Sequence, residues 1–275
     1  MLPTIRIGSA EFTRLIIGGN PFSGTSHLSA AMDAEMEEYY TMPRIQEVLF
    51  DCVRQGINTV QLRADKHIVR ALLEFRTNGG KLNWIAQSAP EFGSLENNMR
   101  LAAKIGPQAV YYHGSTVDNL YKDGEIELIK QGLKTLRMLG VPVGLCSHMP
   151  EVIMRADREE WGADFYMTCL YNLMKVVHIS SSLTGKFNQD EPFDEEDRPL
   201  MLAAVRTVTK PCLAFKLLGA TRRCGTDADV EAAFAEAYGG IKDTDACIVG
   251  VFPKHKPDQV AQNVGIVEKI LRGKN

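Results

Sequence analysis

The chain has 275 residues, of which 45% are hydrophobic and 24% charged, and 31 basic against 34 acidic side chains give a formal net charge of −3. This composition is that of a globular protein and excludes collagen-like, coiled-coil and disordered chains. No basic block stands out, so the sequence predicts no binding of nucleic acid or of an anionic membrane.

Cysteine usage and the N-terminal sequence together predict a cytoplasmic protein. None of the six cysteines forms a C-x-x-C pair, and several lie inside apolar runs, as is typical of free thiols in a reducing compartment. The first residues do not combine a basic region with an apolar run, so no signal peptide is predicted. No stretch approaches the roughly 18 apolar residues that cross a bilayer.

Short apolar segments alternate with longer amphipathic segments along the chain. Near-continuous apolar runs are typical of parallel strands that are covered on both faces. The predicted strands are residues 15–17, 59–62, 83–86, 109–112, 143–145, 164–169, 212–215 and 247–252. The predicted helices are residues 44–54, 67–75, 95–104, 126–138, 151–155, 199–208, 229–238 and 258–271.

Eight units of a strand followed by a helix predict an α/β fold of the (β/α)8, or TIM-barrel, class, as a single domain over residues 1–275. An open doubly wound sheet is the alternative, because periodicity alone does not show closure. Residues 20–42 and 178–198 are predicted to be irregular, and loops of this length are usually lids or binding loops. The acidic side chains of the second stretch are interpreted as the solvated start of a helix.

Polar side chains follow the predicted strands, and in this fold the active site lies at the carboxyl ends of the strands. The sequence therefore predicts a polar pocket at the mouth of the barrel. Some of these side chains have an alternative to a role in the pocket. The alternative for Arg63 and Asp65 is that they pair with each other at the surface, and the alternative for His27, on a long loop, is a solvated side chain. The candidates for binding substrate are Asn20, His27, Gln61, Arg63, Asp65, Gln87, Tyr171 and Asn172.

Three residues are candidates for catalysis. His113 ends an apolar strand, where it either caps that strand or exchanges protons with a substrate. His148 precedes the start of a helix, so a cap or core role is its alternative. Lys216 lies inside an apolar run, where an unpaired ammonium is costly. Either an acid pairs with it, or its pKa is depressed and it acts as a base or a Schiff-base nucleophile.

The sequence motifs give little support for a metal or for a nucleotide cofactor. His113 and His148 are candidate ligands of a divalent metal, since imidazole suits first-row ions, but no spacing such as H-E-x-x-H supports such a site. The sequence contains no G-x-G-x-x-G, no Walker loop, no G-x-S-x-G and no set of kinase motifs.

Several segments, taken in order, resemble the aldo-keto reductase superfamily. Residues 15–20 are similar to its first-strand glycine turn, residues 144–151 to its fifth-strand segment, residues 171–173 to its Y-N-L and residues 214–219 to its seventh strand. The resemblance extends to residues 252–263, and it implies the barrel fold. It also implies that Lys254 and Asn263 are retained from a site for NAD(P)H.

The chain departs from this family at the residues of its chemistry. The resemblance implies a tetrad of Asp, Tyr, Lys and His, of which only the histidine is kept, as His113. Its aspartate position falls on Gln61 and its tyrosine region on Lys66, and the arginine that holds the 2′-phosphate aligns with Gln259. The positions that hold the nicotinamide or complete the tetrad are also changed, at Gln87, Ser88, Cys146, Ser147 and Thr168.

These departures argue against ordinary carbonyl reduction. We expect an enzyme that acts on a small polar carbonyl or sugar-like substrate by lyase-, isomerase- or epimerase-type acid–base chemistry, without hydride transfer. His113 serves as acid or base with His148 or Lys216 as its counterpart, with no cofactor or with a divalent metal. The alternatives are an atypical reductase that binds NADPH and a non-catalytic ligand-binding barrel. The expected partner is the substrate, and assembly as a homo-oligomer stays open.

Overall fold

Eight parallel strands close into a barrel in the computed structural model, which describes residues 2–176, 184 and 187–273. The last strand pairs with both the first and the seventh strand of the barrel, so no barrel edge is left open. The fold is therefore the predicted (β/α)8 barrel, and the open sheet is excluded. The barrel strands are β3 (Leu15–Gly18), β4 (Thr59–Arg63), β5 (Asn83–Gln87), β6 (Ala109–Tyr112), β7 (Val143–Ser147), β8 (Phe165–Cys169), β9 (Cys212–Phe215) and β10 (Ala246–Gly250).

An antiparallel hairpin, β1 (Thr4–Ile7) and β2 (Ala10–Thr13), precedes the barrel and was not predicted. Its apolar side chains Ile5, Ile7 and Phe12 are buried in one cluster with residues inside the barrel. Their alternation with polar residues is the pattern of a strand with one buried face. The hairpin precedes β3 directly, so it covers the amino-terminal end of the barrel and leaves the carboxyl end for a site.

Helices follow the barrel strands, and the helices predicted from amphipathic periodicity are all present, with shifts of a few residues at their ends. They pack on the outside of the barrel through buried apolar faces. The helices are α1 (Ala30–Tyr39), α2 (Met42–Arg54), α3 (Lys66–Thr77), α4 (Leu95–Ala102), α5 (Gly114–Lys122), α6 (Ile126–Leu136), α7 (Pro150–Arg158), α8 (Asp197–Thr207), α9 (Asp227–Gly240) and α10 (Gln259–Arg272), with short 3-10 helices at Asn20–Ser23, Pro90–Phe92, Arg137–Leu139 and Leu173–Lys175.

Two helices were missed by the sequence analysis. The prediction that residues 20–42 are irregular is wrong, because α1 begins after Ser29, whose hydroxyl accepts a hydrogen bond from the Met32 amide at 3.1 Å. Its only buried side chain is Met36, so it shows no amphipathic period. Helix α5 buries one apolar side chain, Val117, beside the small and polar residues Gly114, Ser115 and Asp118. Part of the predicted loop 178–198 lies outside the described residues.

In the part of the chain that the structure describes, no helix is both long and apolar enough to span a membrane.

Candidate active site

A cavity of about 200 Å³ lies at the carboxyl ends of the barrel strands. Strands β3, β4, β5, β6, β7 and β9, or the turns that follow them, each supply at least one polar lining residue. This position is the one that barrel enzymes use for their active sites. Seven of the residues predicted from the sequence line it, namely Asn20, His27, Gln61, Gln87, His113, His148 and Lys216.

His148 and a buried aspartate form a hydrogen-bonded pair at the cavity wall. The Nδ1 atom of His148 lies 2.7 Å from Oδ2 of Asp118, whose side chain is fully buried on α5. The same carboxylate accepts hydrogen bonds from the His148 amide at 3.1 Å and from the Ser147 hydroxyl. A carboxylate at Nδ1 places the proton of the neutral ring on that nitrogen. The other ring nitrogen, Nε2, is then left with a lone pair for proton transfer.

Gly114, the first residue of α5, allows this helix to approach the pair. A Cβ atom on Gly114 would lie 2.8 Å from the Cys146 Sγ and 3.1 Å from the His148 Cε1. These atoms belong to buried side chains that have little room to move. The close contact explains why a residue without a side chain stands here.

Replacement of this glycine tests that contact. We expect Gly114→Ala to lower the free energy of unfolding in urea by about 1–3 kcal/mol, because extra volume in a packed site forces neighbours to shift. The matched control is Gly265→Ala in α10, where a Cβ meets nothing within 4 Å. It should raise the free energy of unfolding by about 0.5–1 kcal/mol, the usual advantage of alanine over glycine in a helix. Equal stability of the Gly114→Ala variant and the unmodified protein would contradict this account.

His113 is neutral in this site. Burial, together with the positive charge of Arg63 and the nearby His148, lowers its pKa to about 3. Its amide donates to the Ser88 hydroxyl at 3.0 Å, and its carbonyl accepts from the Val117 amide at 3.1 Å, which fixes it at the start of α5. His113 therefore lines the cavity as an uncharged imidazole, which donates from one ring nitrogen and accepts on the other, and its Nδ1 atom lies 3.5 Å from the Thr116 hydroxyl oxygen.

A tyrosine that the sequence analysis did not single out also lines the cavity. Tyr111 on β6 accepts a hydrogen bond on its hydroxyl oxygen from the Gln61 Nε2 atom at 2.8 Å. Burial raises the pKa of Tyr111 well above its usual range, so the hydroxyl keeps its proton. Because Gln61 is the donor in that contact, the tyrosine proton is available to a ligand.

Lys216 follows β9 directly and lines the same cavity. Its backbone has a φ of +63°, a conformation that is strained for residues with a side chain. Among the described residues no carboxylate lies within 4.0 Å of its Nζ atom, which lies 5.5 Å from the centroid of the Phe193 ring. Burial lowers the pKa of Lys216 below its usual range, and the positive charge of Arg222 adds to this effect, against the negative charge of Glu191.

His27 and Glu191 connect the two loops above the cavity. The His27 Nδ1 atom lies 2.6 Å from the Glu191 Oε2, and its Nε2 lies 3.0 Å from the Asn20 Nδ2. Burial and the charge of Lys216 lower the pKa of His27, although its hydrogen bond with Glu191 opposes this. The interpretation of the acidic stretch as solvated is thus wrong for Glu191, whose side chain is buried in the cavity wall.

Arg63 and Asp65 do not line the cavity. Arg63 donates from Nε to Glu91 at 3.1 Å and makes a second, shorter hydrogen bond to the same carboxylate, while its Nε lies 3.9 Å from Asp65. Asp65 caps α3 by accepting from the Ile68 amide at 2.8 Å. Arg63 acts on the site through its charge, which helps to keep His113 neutral.

Tyr171 and Asn172 also lie outside the cavity lining. The Tyr171 hydroxyl donates to the Glu195 carboxylate at 2.6 Å and accepts from Arg198 at 3.1 Å, and burial raises the pKa of this hydroxyl to about 12. The Asn172 side chain accepts from the Met174 amide at 3.1 Å and so caps a 3-10 helix. These contacts hold the loop after β8 in place and do not offer either group to a ligand in the cavity.

The residues predicted to hold a dinucleotide are separate from the cavity. The Lys254 Nζ atom pairs with the Glu35 carboxylate of α1 at 2.8 Å. Asn263 is buried on α10, and its Nδ2 atom has no hydrogen-bond partner among the described residues.

A metal centre at His113 and His148 was a further candidate. In the described part of the chain no group of three or more His, Cys, Asp or Glu side chains is placed to hold a metal ion. Of the two histidines, His148 is paired with the Asp118 carboxylate through Nδ1, and two such groups fall short of a set of three.

Asp118 and Glu191 are the site residues whose roles the sequence could not give. Each is hydrogen-bonded to a cavity histidine that lies 30 or 164 positions away in the chain. No spacing rule connects residues so far apart. Tyr111 was within reach of a sequence argument, because side chains of a strand alternate and one of two adjacent tyrosines must face the barrel interior.

Comparison with known proteins supports the barrel fold but does not identify the chemistry. No family model and no curated protein matches the sequence. A 3-deoxy-D-arabino-heptulosonate 7-phosphate synthase of Thermotoga maritima has a similar structure, with a TM-score of 0.58 at 13% identity over 98% of this chain and 91% of that one. An aldo-keto reductase of Bacillus halodurans gives the same four values. A D-psicose 3-epimerase of Clostridium cellulolyticum has a TM-score of 0.53 at 6% identity over 94% of this chain and 98% of that one.

Identities this low establish the barrel fold, which hosts many unrelated activities. The resemblance to aldo-keto reductases is therefore supported at the level of the fold, where these reductases are one of several kinds of similar barrel enzyme.

Proposed function

We propose that the protein is an enzyme that moves protons on a small hydroxylated carbonyl compound, in a lyase, isomerase or epimerase reaction without hydride transfer. The observation that carries the proposal is the pairing of His148 with the fully buried Asp118 at the wall of a cavity that also contains Lys216 and Tyr111. A base, a cation and a proton donor facing one small space are what removal of a proton next to a carbonyl requires.

The histidine pair supplies the base. Asp118 fixes the tautomer of His148, so that Nε2 carries the lone pair, and it stabilises the imidazolium that forms when a proton is taken. His113, held neutral, is suited to hydrogen-bond a substrate oxygen and to pass a proton on, while it adds no positive charge of its own.

The remaining polar groups supply recognition and charge stabilisation. Removal of a proton next to a carbonyl places negative charge on the carbonyl oxygen, and a preorganised cation or hydroxyl near that oxygen stabilises it. Lys216 and Tyr111 are suited to this role. Amide side chains, here Gln61 and Gln87, hydrogen-bond hydroxyl groups in either direction. A cavity of about 200 Å³ is small, which favours a substrate of sugar size or less.

A reductase that binds NADPH is the second candidate, and the buried, unpartnered Nδ2 of Asn263 is the observation in its favour. The other residues fit a dinucleotide poorly, since Lys254 is paired with Glu35 and the side-chain carbonyl of Gln259 accepts from the Phe252 amide at 2.6 Å. Pockets for drug-sized ligands measure about 300–1,000 Å³, and a dinucleotide is larger than such ligands. We expect no saturable quenching of tryptophan fluorescence by NADPH, and tight binding would favour the reductase.

Hydrogen exchange into simple carbonyl compounds tests the proposed reaction class. The protein is incubated in D2O with a panel of hydroxyaldehydes and ketoses, including glyceraldehyde, dihydroxyacetone and D-fructose, and proton NMR follows loss of the C–H signal next to each carbonyl. We expect protein-dependent exchange in at least one compound. We expect His148→Gln to abolish it, because glutamine cannot take up the proton.

The exposed His67 on α3 gives the matched control. His67→Gln should exchange at the unmodified rate. Exchange in His148→Gln at that rate would contradict the assignment of the base, and absence of exchange across the whole panel would contradict the reaction class.

A further inference from the structure

We propose that Lys216 is a covalent catalyst that forms a Schiff base with the carbonyl carbon of the substrate. This inference deepens the proposed function and rests on it, since it specifies an aldehyde or ketone as the substrate class. It also replaces the simpler role of Lys216 as a fixed positive charge near the carbonyl oxygen.

The position of Lys216 is the first argument. It is the residue that directly follows β9, and it lines the cavity that His148 and Tyr111 also line. Its backbone φ of +63° is unfavourable for a residue with a side chain, and strain of this kind is found where a side chain must be aimed for function. The ring of Phe215, the preceding residue, lies 6.0 Å from the His148 ring, so the end of β9 that leads to Lys216 lies close to the base.

The surroundings of the amine are the second argument. A structural lysine in an apolar run is normally paired with a carboxylate, but the described residues place no carboxylate within 4.0 Å of the Nζ atom. Its neighbours there include the ring of Phe193, on which the guanidinium of Arg222 also lies. Burial is the main cause of the lowered pKa of Lys216, and Arg222 adds to it while Glu191 opposes it. A desolvated lysine of this kind is a better nucleophile than an exposed one.

The reaction that follows is balanced. The Nζ lone pair attacks the carbonyl carbon, and the carbonyl oxygen takes up a proton from an acid such as the Tyr111 hydroxyl. The resulting carbinolamine loses water, which leaves a protonated imine on Lys216 and Tyr111 without its proton. His148 then removes a proton from the neighbouring carbon, and the electron pair of that C–H bond moves into the imine to give a neutral enamine. The imidazolium of His148 reprotonates the carbon, and addition of one water releases the carbonyl product, restores the amine and returns the proton to Tyr111.

Reductive alkylation of the unmodified protein tests this proposal. Formaldehyde, the smallest carbonyl compound, forms an imine with a free amine, and cyanoborohydride reduces that imine to a methylated lysine. At pH 7 we expect methylation of Lys216 to be faster than methylation of the exposed Lys104 and Lys134, as measured by peptide mass spectrometry. The reason is that a lowered pKa leaves a larger fraction of the amine unprotonated at this pH.

Glycolaldehyde, a two-carbon hydroxyaldehyde, then tests the substrate class under the same conditions. We expect its reduced adduct on the peptide that contains Lys216 and not on those of Lys104 and Lys134. Methylation of Lys216 no faster than that of the exposed lysines overturns the proposal, and labelling by formaldehyde without labelling by glycolaldehyde overturns the hydroxycarbonyl substrate class.

The hydrogen-exchange assay separates this outcome from that of the proposed function. Lys216→Arg keeps the positive charge but cannot form the imine, so we expect at least a hundredfold loss of exchange. If exchange survives in Lys216→Arg and still depends on His148, the Schiff base is wrong and the acid–base function stands. If exchange in the unmodified protein does not depend on His148, the proposed function itself is wrong.

Discussion

Replacement of Asp118 by asparagine is expected to lower kcat by about 10²–10⁴-fold with little change in KM. A carboxylate that orients a catalytic histidine and balances its charge contributes on this scale, by analogy with the aspartate of serine-protease triads. Asparagine keeps the size of the side chain but removes its charge, and its amide nitrogen donates where the carboxylate oxygen accepts. The measurement is the rate of hydrogen exchange next to the substrate carbonyl, as a function of substrate concentration and pH.

Asp245 provides the control for this replacement. Like Asp118 it is fully buried, and its carboxylate accepts from the amides of Cys212 and Lys242, each at 2.8 Å. It precedes β10, at the opposite end of the barrel from the cavity. Asp245→Asn should lose stability but keep kcat. If both variants keep kcat, Asp118 has only a structural role and the histidine pair is not the base.

Acidification is expected to destabilise the protein through His113. The pKa of His113 is about 3 in the folded protein, whereas an unfolded histidine has a value near 6.5. Between these values the unfolded chain binds a proton that the folded chain does not, so stability is complete above pH 6.5 and falls as the pH drops toward 3. From pH 7 to pH 5 this single group should remove about 2 kcal/mol from the free energy of unfolding.

Urea unfolding at pH 7 and pH 5 measures this loss. His113→Gln, which cannot titrate, should show a smaller decrease than the unmodified protein by about the same 2 kcal/mol. His67→Gln removes an exposed histidine and should leave the decrease unchanged. Equal decreases in the unmodified protein and in His113→Gln would show that the buried imidazole does not resist protonation.

Local patterns were sufficient for most of the fold. The barrel strands are apolar runs that can be recognised from their own residues, and helices such as α6 carry an apolar stripe. The number of units favoured the closed barrel over an open sheet, and the pairing of β10 with both β3 and β9 established closure. The two helices that were missed each bury a single apolar side chain, Met36 in α1 and Val117 in α5. The other buried residues of α5 are small or polar, and among them Asp118 belongs to the site.

The sequence by itself determined that polar side chains end the strands of a barrel, and so it predicted where the cavity lies. Which of them meet was decided by the tertiary structure alone. His148 is paired with Asp118 and His27 with Glu191, whereas Arg63 binds Glu91 and does not line the cavity. The sequence could predict the end of the barrel that a residue reaches, because this depends only on the position of the residue along its strand. The charge, tautomer and pKa of a side chain depend on neighbours that only the closed barrel and its loops bring within hydrogen-bonding distance.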